Sequence, residues 1–177
     1  IEDRWLDAAP GGSGAVGLGW VEQIAIIADI HGNVDALKAV LADIDRRGVE
    51  QIVNLGDMFS GPLAAGETAE VLLARPEIVS IRGNHDRYLL EQDPGAMGAS
   101  DAVAHGELAP AHFAWLAGLP ETAMLGPDMA LCHATPGGDE VYWLHTLSET
   151  AQMVQRSPEE IARHAGESPA RVHLCAH

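Results

Sequence analysis

Side chains able to hold divalent metals recur in this sequence at one kind of place, directly after a short apolar run. Asp29 and His31 follow residues 23–28, and Asp57 follows residues 51–55 through Gly56. Asn84 and His85 follow residues 78–81 through Gly83, in the stretch IVSIRGNHD. His133 follows residues 129–132, and His177 follows residues 171–175. Short runs of β-branched and apolar residues read as buried strands. In open α/β sheets the carboxyl ends of strands are where ligands bind. A single polar turn holding a histidine is ordinary. Five strand ends delivering Asp, His and Asn to one edge are not what solvated turns usually do. The mixture of carboxylate, imidazole and amide oxygen suits borderline divalent metals rather than calcium. Several ligands of both kinds suggest two ions sharing one carboxylate, a template for in-line attack on phosphorus.

The elements between these turns must bring them together. Asn33 is a good N-cap for a helix over 34–47, with Val34, Leu37, Val40, Leu41 and Ile44 on one face. Arg46 and Arg47 suit its C-terminal dipole, and Gly48 supplies the stop. A second helix over 68–74 ends before Pro76. The first ninety residues therefore read βαβαβ with parallel strands. Further on, Ser100 is placed to cap a short helix containing His105, and 110–116 reads as another helix. Residues 122–125 and 129–132 read as a hairpin around Gly126-Pro127-Asp128. Residues 137–146 read as a loop. Ser157-Pro158-Glu159-Glu160 is a capping box opening a helix to about His164, and 171–175 is a last strand. Gly12–Gly17 matches GxGxxG but lacks the strand before it and the helix after it, so no dinucleotide site is assigned there. Residues 1–22 read as a flexible leader and 23–177 as one domain.

Composition sets bounds on function. The chain has 177 residues and a formal net charge of −16. That charge disfavours a broad grip on nucleic acid, and with it a nuclease. No apolar run approaches the length of a membrane span. Cys132 and Cys175 are too few for a disulfide framework and fall in predicted strands, so reduced thiols and a cytoplasmic location are expected.

In order along the chain, DIH at 29–31, GD at 56–57, GNHD at 83–86, His133 and CAH at 175–177 resemble the motifs of the calcineurin-like metallophosphoesterases. With the CH-x-TP segment at 132–136, the likeness is to the small bacterial phosphodiesterase branch. The resemblance implies an α/β fold, a four-layer αββα sandwich of two mixed sheets with the metal site at the C-terminal ends of strands. It implies two divalent ions (Mn, Fe, Zn or Ni), one held by Asp29, His31 and Asp57, the other by Asp57, Asn84, His133 and His177. His85 resembles the family's non-ligand histidine, which contacts phosphate and protonates the leaving oxygen. Ala176 stands where the family usually has Gly, and the chain stops before the second His of the last motif, so the sequence reads as lacking the closing strands.

The expected activity is metal-dependent hydrolysis of a small phosphoester, a diester or a monoester, by a hydroxide formed as the cations lower the pKa of water. The alternative is a non-catalytic metal-binding or protein-interaction module on the same scaffold. Asp86 reads either as a group orienting His85 or as a helix-starting acid. Tyr142, Trp143 and His145 read equally as a cleft lining or a packed loop. His105, His112, His164 and His173 read as structural or surface residues. Neither the substrate nor the oligomeric state follows from the sequence.

Overall fold

The computed structural model describes residues 23–177; the leader expected over 1–22, with its glycines, lies outside the described residues. In chain order the elements are β1 (Ile24–Ile27), α1 (Val34–Arg47), β2 (Gln51–Asn54), α2 (Ala65–Leu73), β3 (Val79–Ser80), α3 (Asn84–Glu91) and α4 (Ala99–Glu107). They continue with α5 (Pro110–Ala117), β4 (Thr122–Leu125), β5 (Met129–Cys132), β6 (His145–Leu147), β7 (Met153–Gln155), α6 (Pro158–Ala165) and β8 (Val172–Leu174).

The strands β1, β2 and β3 form one parallel sheet in that order, with Ile27 beside Asn54 and Asn54 beside Ser80. A second sheet has the order β4-β5-β8 and is mixed: β4 runs antiparallel to β5, and β5 parallel to β8. In-register parallel strands end together, so the turns after β1, β2 and β3 emerge side by side. The turns after β5 and β8 do the same.

Burial explains the layering. Ala25, Ile27, Ile52 and Ile78 pack against Leu37, Leu41, Ala69, Leu72, Leu89 and Leu116 of the helices, forming the larger core. The opposite face of the first sheet gives Val53, Leu55 and Ile81 to a second core, closed by Leu131 and Leu174. Alternation along a strand delivers side chains to both faces, so one sheet serves two cores. On the outer face of the second sheet, buried Trp143 packs edge-on against His173 and donates its indole N–H to the Ile161 carbonyl of α6. The layers thus run helices, sheet, sheet, helix.

Several local expectations shift. Asn33 caps α1 through the Ala36 amide and Gly48 ends it at φ 68°, but Val40 lies at the edge of the apolar stripe and is exposed. Helix α2 starts three residues before the expected Thr68, because the Glu107 carboxylate, far away in sequence, accepts the Ala65 amide at 2.7 Å. Such a cap satisfies a helix-end donor that no local side chain serves. Residues 145–147 and 153–155, the first of which fell mostly in the expected loop, pair as an antiparallel hairpin.

Candidate metal centre

The turn after β1 is stitched to the turn after β2 by the amides of Asp29, His31 and Gly32, which donate to the carbonyls of Gly56, Asp57 and Met58. These turns need unusual backbone. Asp29, His31 and Asp57 adopt φ of 50°, 49° and 55°, and His177 adopts 76°. Ala151 is the other described non-glycine residue at positive φ, so the strain gathers where ligands are expected. Each such residue costs on the order of 1 kcal/mol and persists where surrounding structure over-determines it.

Two glycines make the centre possible by their lack of a side chain. A Cβ on Gly56 would lie 2.3 Å from the Gly83 amide nitrogen, and one on Gly83 would lie 2.2 Å from Asp57 Oδ1. Gly83 itself has an ordinary φ of −96°, so its role is close approach rather than the sharp turn its position suggests. The stretch after it is helix α3, whose first turn holds Asn84 and His85.

Asp57 is buried between these elements. Its Oδ1 accepts the His85 amide at 3.0 Å, and its Oδ2 lies 3.3 Å from His133 Nε2. Burial works most strongly to raise its carboxyl, but His133 and His85 together hold it below the ordinary value. The His85 ring is held by Asp101, not by Asp86. The wholly buried Asp86 carboxylate accepts the amides of Asp57, Met58 and Gly83, fixing the turn after β2 to the start of α3. Burial lifts this carboxyl to about 6, against the Gly83 amide and with help from the Asp57 charge.

Each of three imidazoles has one ring nitrogen tied to a backbone carbonyl. His31 Nδ1 lies 2.7 Å from the Ser60 carbonyl, His133 Nδ1 2.7 Å from that of Leu55, and His177 Nε2 3.1 Å from that of Glu140. A carbonyl only accepts, so the tied nitrogen carries the proton and the other presents a lone pair. In His133 and His177 those lone-pair nitrogens face each other at 3.2 Å. Burial works to lower the pKa of His133, but Asp57, the Leu55 carbonyl and Asp29 together hold it above its ordinary value; His177 is lowered by burial and by the neighbouring His133.

The ligand atoms of Asp57, His133 and His177 lie within 4.8 Å of one another, and so do those of Asp29, His31 and Asp57. Asp57 belongs to both groups. Asn84 is buried, and its Oδ1 has no hydrogen-bond partner. Converging lone pairs, shared carboxylate and an orphaned buried oxygen form a donor set that suits divalent cations.

His85 stands beside this donor set, its ring centroid 5.6 Å from that of His31. Its Nδ1 lies 2.9 Å from Oδ1 of Asp101, a carboxylate only 7% exposed on α4. Sequence reading missed Asp101. Only the packing of α4 against α3 identifies it. Among the residues left open, Tyr142 stacks on His177 with centroids 4.5 Å apart, while Trp143 is core and His145 is exposed on β6. His112 is buried against Glu70. Cys132 and Cys175 are free thiols, both raised by burial, Cys132 to about 12.

A family profile described as calcineurin-like phosphoesterase matches residues 23–151. The chain belongs to that family. Among solved structures, a metallophosphoesterase from Sphaerobacter thermophilus superposes on this phosphoesterase domain with a TM-score of 0.65 and 25% identity, over 87% of this chain and 59% of that one. A hypothetical protein from Pyrococcus horikoshii shares the fold, with a TM-score of 0.55 and 22% identity over 66% of this chain and 56% of its own. An uncharacterised protein of Methanocaldococcus jannaschii is 41% identical over 70 residues, 40% of this chain and 28% of that protein. The chain therefore spans little more than half of the solved relatives, and its match covers less than a third of the Methanocaldococcus jannaschii protein.

Proposed function

We propose that this chain hydrolyses a small phosphodiester at a centre of two divalent cations. The observation that carries the reading is the sharing of Asp57 by two ligand groups whose imidazoles are each fixed by a carbonyl. Asp29, His31 and Asp57 would hold one ion. Asp57, Asn84, His133 and His177 would hold the other. Bound there, such cations supply Lewis acidity toward phosphate oxygens and lower the pKa of water.

The protein's own contribution is orientation and proton delivery. The turns after β1 and β2 hold Asp29 and Asp57 in a fixed left-handed backbone, so little rearrangement accompanies binding. With Nδ1–H donated to Asp101, His85 keeps Nε2 free. In its protonated form, Nε2–H donates to the leaving oxygen as the ester bond breaks. The Asp101 carboxylate stabilises that imidazolium and fixes the ring. An open cavity of about 200 Å³ lies beside His133, lined also by Arg87, Thr122 and Thr135. The net charge of −16 argues against polyanionic substrates.

The test is turnover of bis(p-nitrophenyl) phosphate and of the monoester with added manganese. Diester turnover abolished by chelation and restored by metal supports the reading. Full turnover in metal-free buffer would overturn it, and metal uptake without turnover of either ester would leave a metal-binding module.

A further inference from the structure

Helix α3 begins with Asn84 and His85, and one turn later it carries Arg87 and Tyr88. Arg87 reaches the loop that follows β5. Its Nε and Nη2 grip both oxygens of Asp139 at 2.7 and 2.9 Å, and Nη2 also donates to Glu140 Oε1 at 2.8 Å. The Tyr88 hydroxyl donates to the same Glu140 oxygen at 2.6 Å. The Arg87 guanidinium and the Asp139 carboxylate are each about four-fifths buried, at 23% and 20% exposure. A two-pronged arginine–carboxylate pair fixes geometry as well as charge. The backbone carbonyl of Glu140 accepts from His177 Nε2, and the ring of Tyr142 stacks on the same imidazole.

We infer that Arg87 is a positioning residue for His177, acting through the Asp139–Glu140 backbone. This rests on the reading of His177 as a metal ligand. Gripping Asp139 and Glu140 places the Glu140 carbonyl. That carbonyl holds the proton of His177 on Nε2 and turns Nδ1 toward Asp57 and His133. Helix α3 thereby governs ligands from two distant parts of the sequence: it presents Asn84 directly and sets His177 through the clamp. His177 needs such a hold, because its own backbone sits at φ 76° and its side chain is only partly buried.

The test is calorimetric titration of manganese into the purified chain, with cobalt absorption as a second readout of coordination. The unaltered protein should take up two ions. In Arg87→Ala, one ion should bind about ten- to a hundredfold more weakly, the range for loss of a group that orients a ligand, and the other ion should be unaffected. His177→Ala should weaken the same ion. The double variant should lose no more than His177→Ala alone, since Arg87 acts only through that imidazole. Arg87→Lys keeps the charge but loses the fork, so it should behave as Arg87→Ala. Should Arg87→Ala fail to fold, Asp139→Asn loosens the same clamp and should give the same weakening. Unchanged binding in Arg87→Lys or Asp139→Asn, or additive losses in the double variant, would overturn the inference. An unaltered protein that binds no manganese would instead overturn the metal-centre reading itself.

Discussion

On the proposed reading, His85 delivers the proton and Asp57 holds metal. His85→Asn should keep two metal equivalents by elemental analysis and lose about 10²–10⁴ in diester turnover. Asp57→Asn should lose metal as well. Equal metal loss in both would make His85 a ligand. Asp101→Asn should keep metal and lose rate, because an amide no longer stabilises the imidazolium. Gly83→Ala should act like a ligand mutation although it removes no ligand, since its Cβ would fall 2.2 Å from Asp57 Oδ1; reduced metal content in a folded protein checks this. The candidate site residues were legible in sequence because Asp29-Ile30-His31, Gly56-Asp57 and Asn84-His85 keep their chemistry within a few consecutive residues. Asp101 was not, because its contact with His85 spans sixteen residues and depends on how two helices pack.

At the scale of elements, the βαβαβ half followed from apolar runs, a capping Asn33 and a terminating Gly48, all of them local signals. The start of α2 was hidden because its cap arrives from Glu107. The β6–β7 hairpin was hidden because its strands are short and leave Leu147 and Met153 exposed, so no alternation marks them. Glu107→Ala should lower stability by about 1 kcal/mol in urea denaturation, the usual cost of a lost helix cap, while metal content stays the same. The Arg87–Asp139 pair adds an acid-sensitive contribution. Arg87 holds the Asp139 carboxyl below its ordinary value of 3.8. A carboxyl depressed by folding stabilises above its unfolded value and loses that contribution as pH falls through its folded value. The stability gap between the unaltered protein and Asp139→Asn should therefore shrink in acid below pH 3.8.

For the molecule as a whole, cations held by the converging donors of the proposed centre would contribute to stability. Among the described residues, no helix is long and apolar enough to cross a membrane. Ions that bind only the folded chain stabilise it by mass action, about 2.7 kcal/mol at a hundred times the dissociation constant. Chelation should lower the melting temperature of the unaltered protein and do so much less in Asp57→Asn. The left-handed turns at Asp29, His31, Asp57 and His177 carry this further. Their backbone is held at a conformational cost, and the amides of Asp29, His31 and Ala176 lace it together. Those amides should trade deuterium with solvent quickly in the chelated protein and slowly in the loaded one, while amides in α1 do not change. Isotope uptake along the polypeptide would then report occupancy of each pocket separately, with no substrate present.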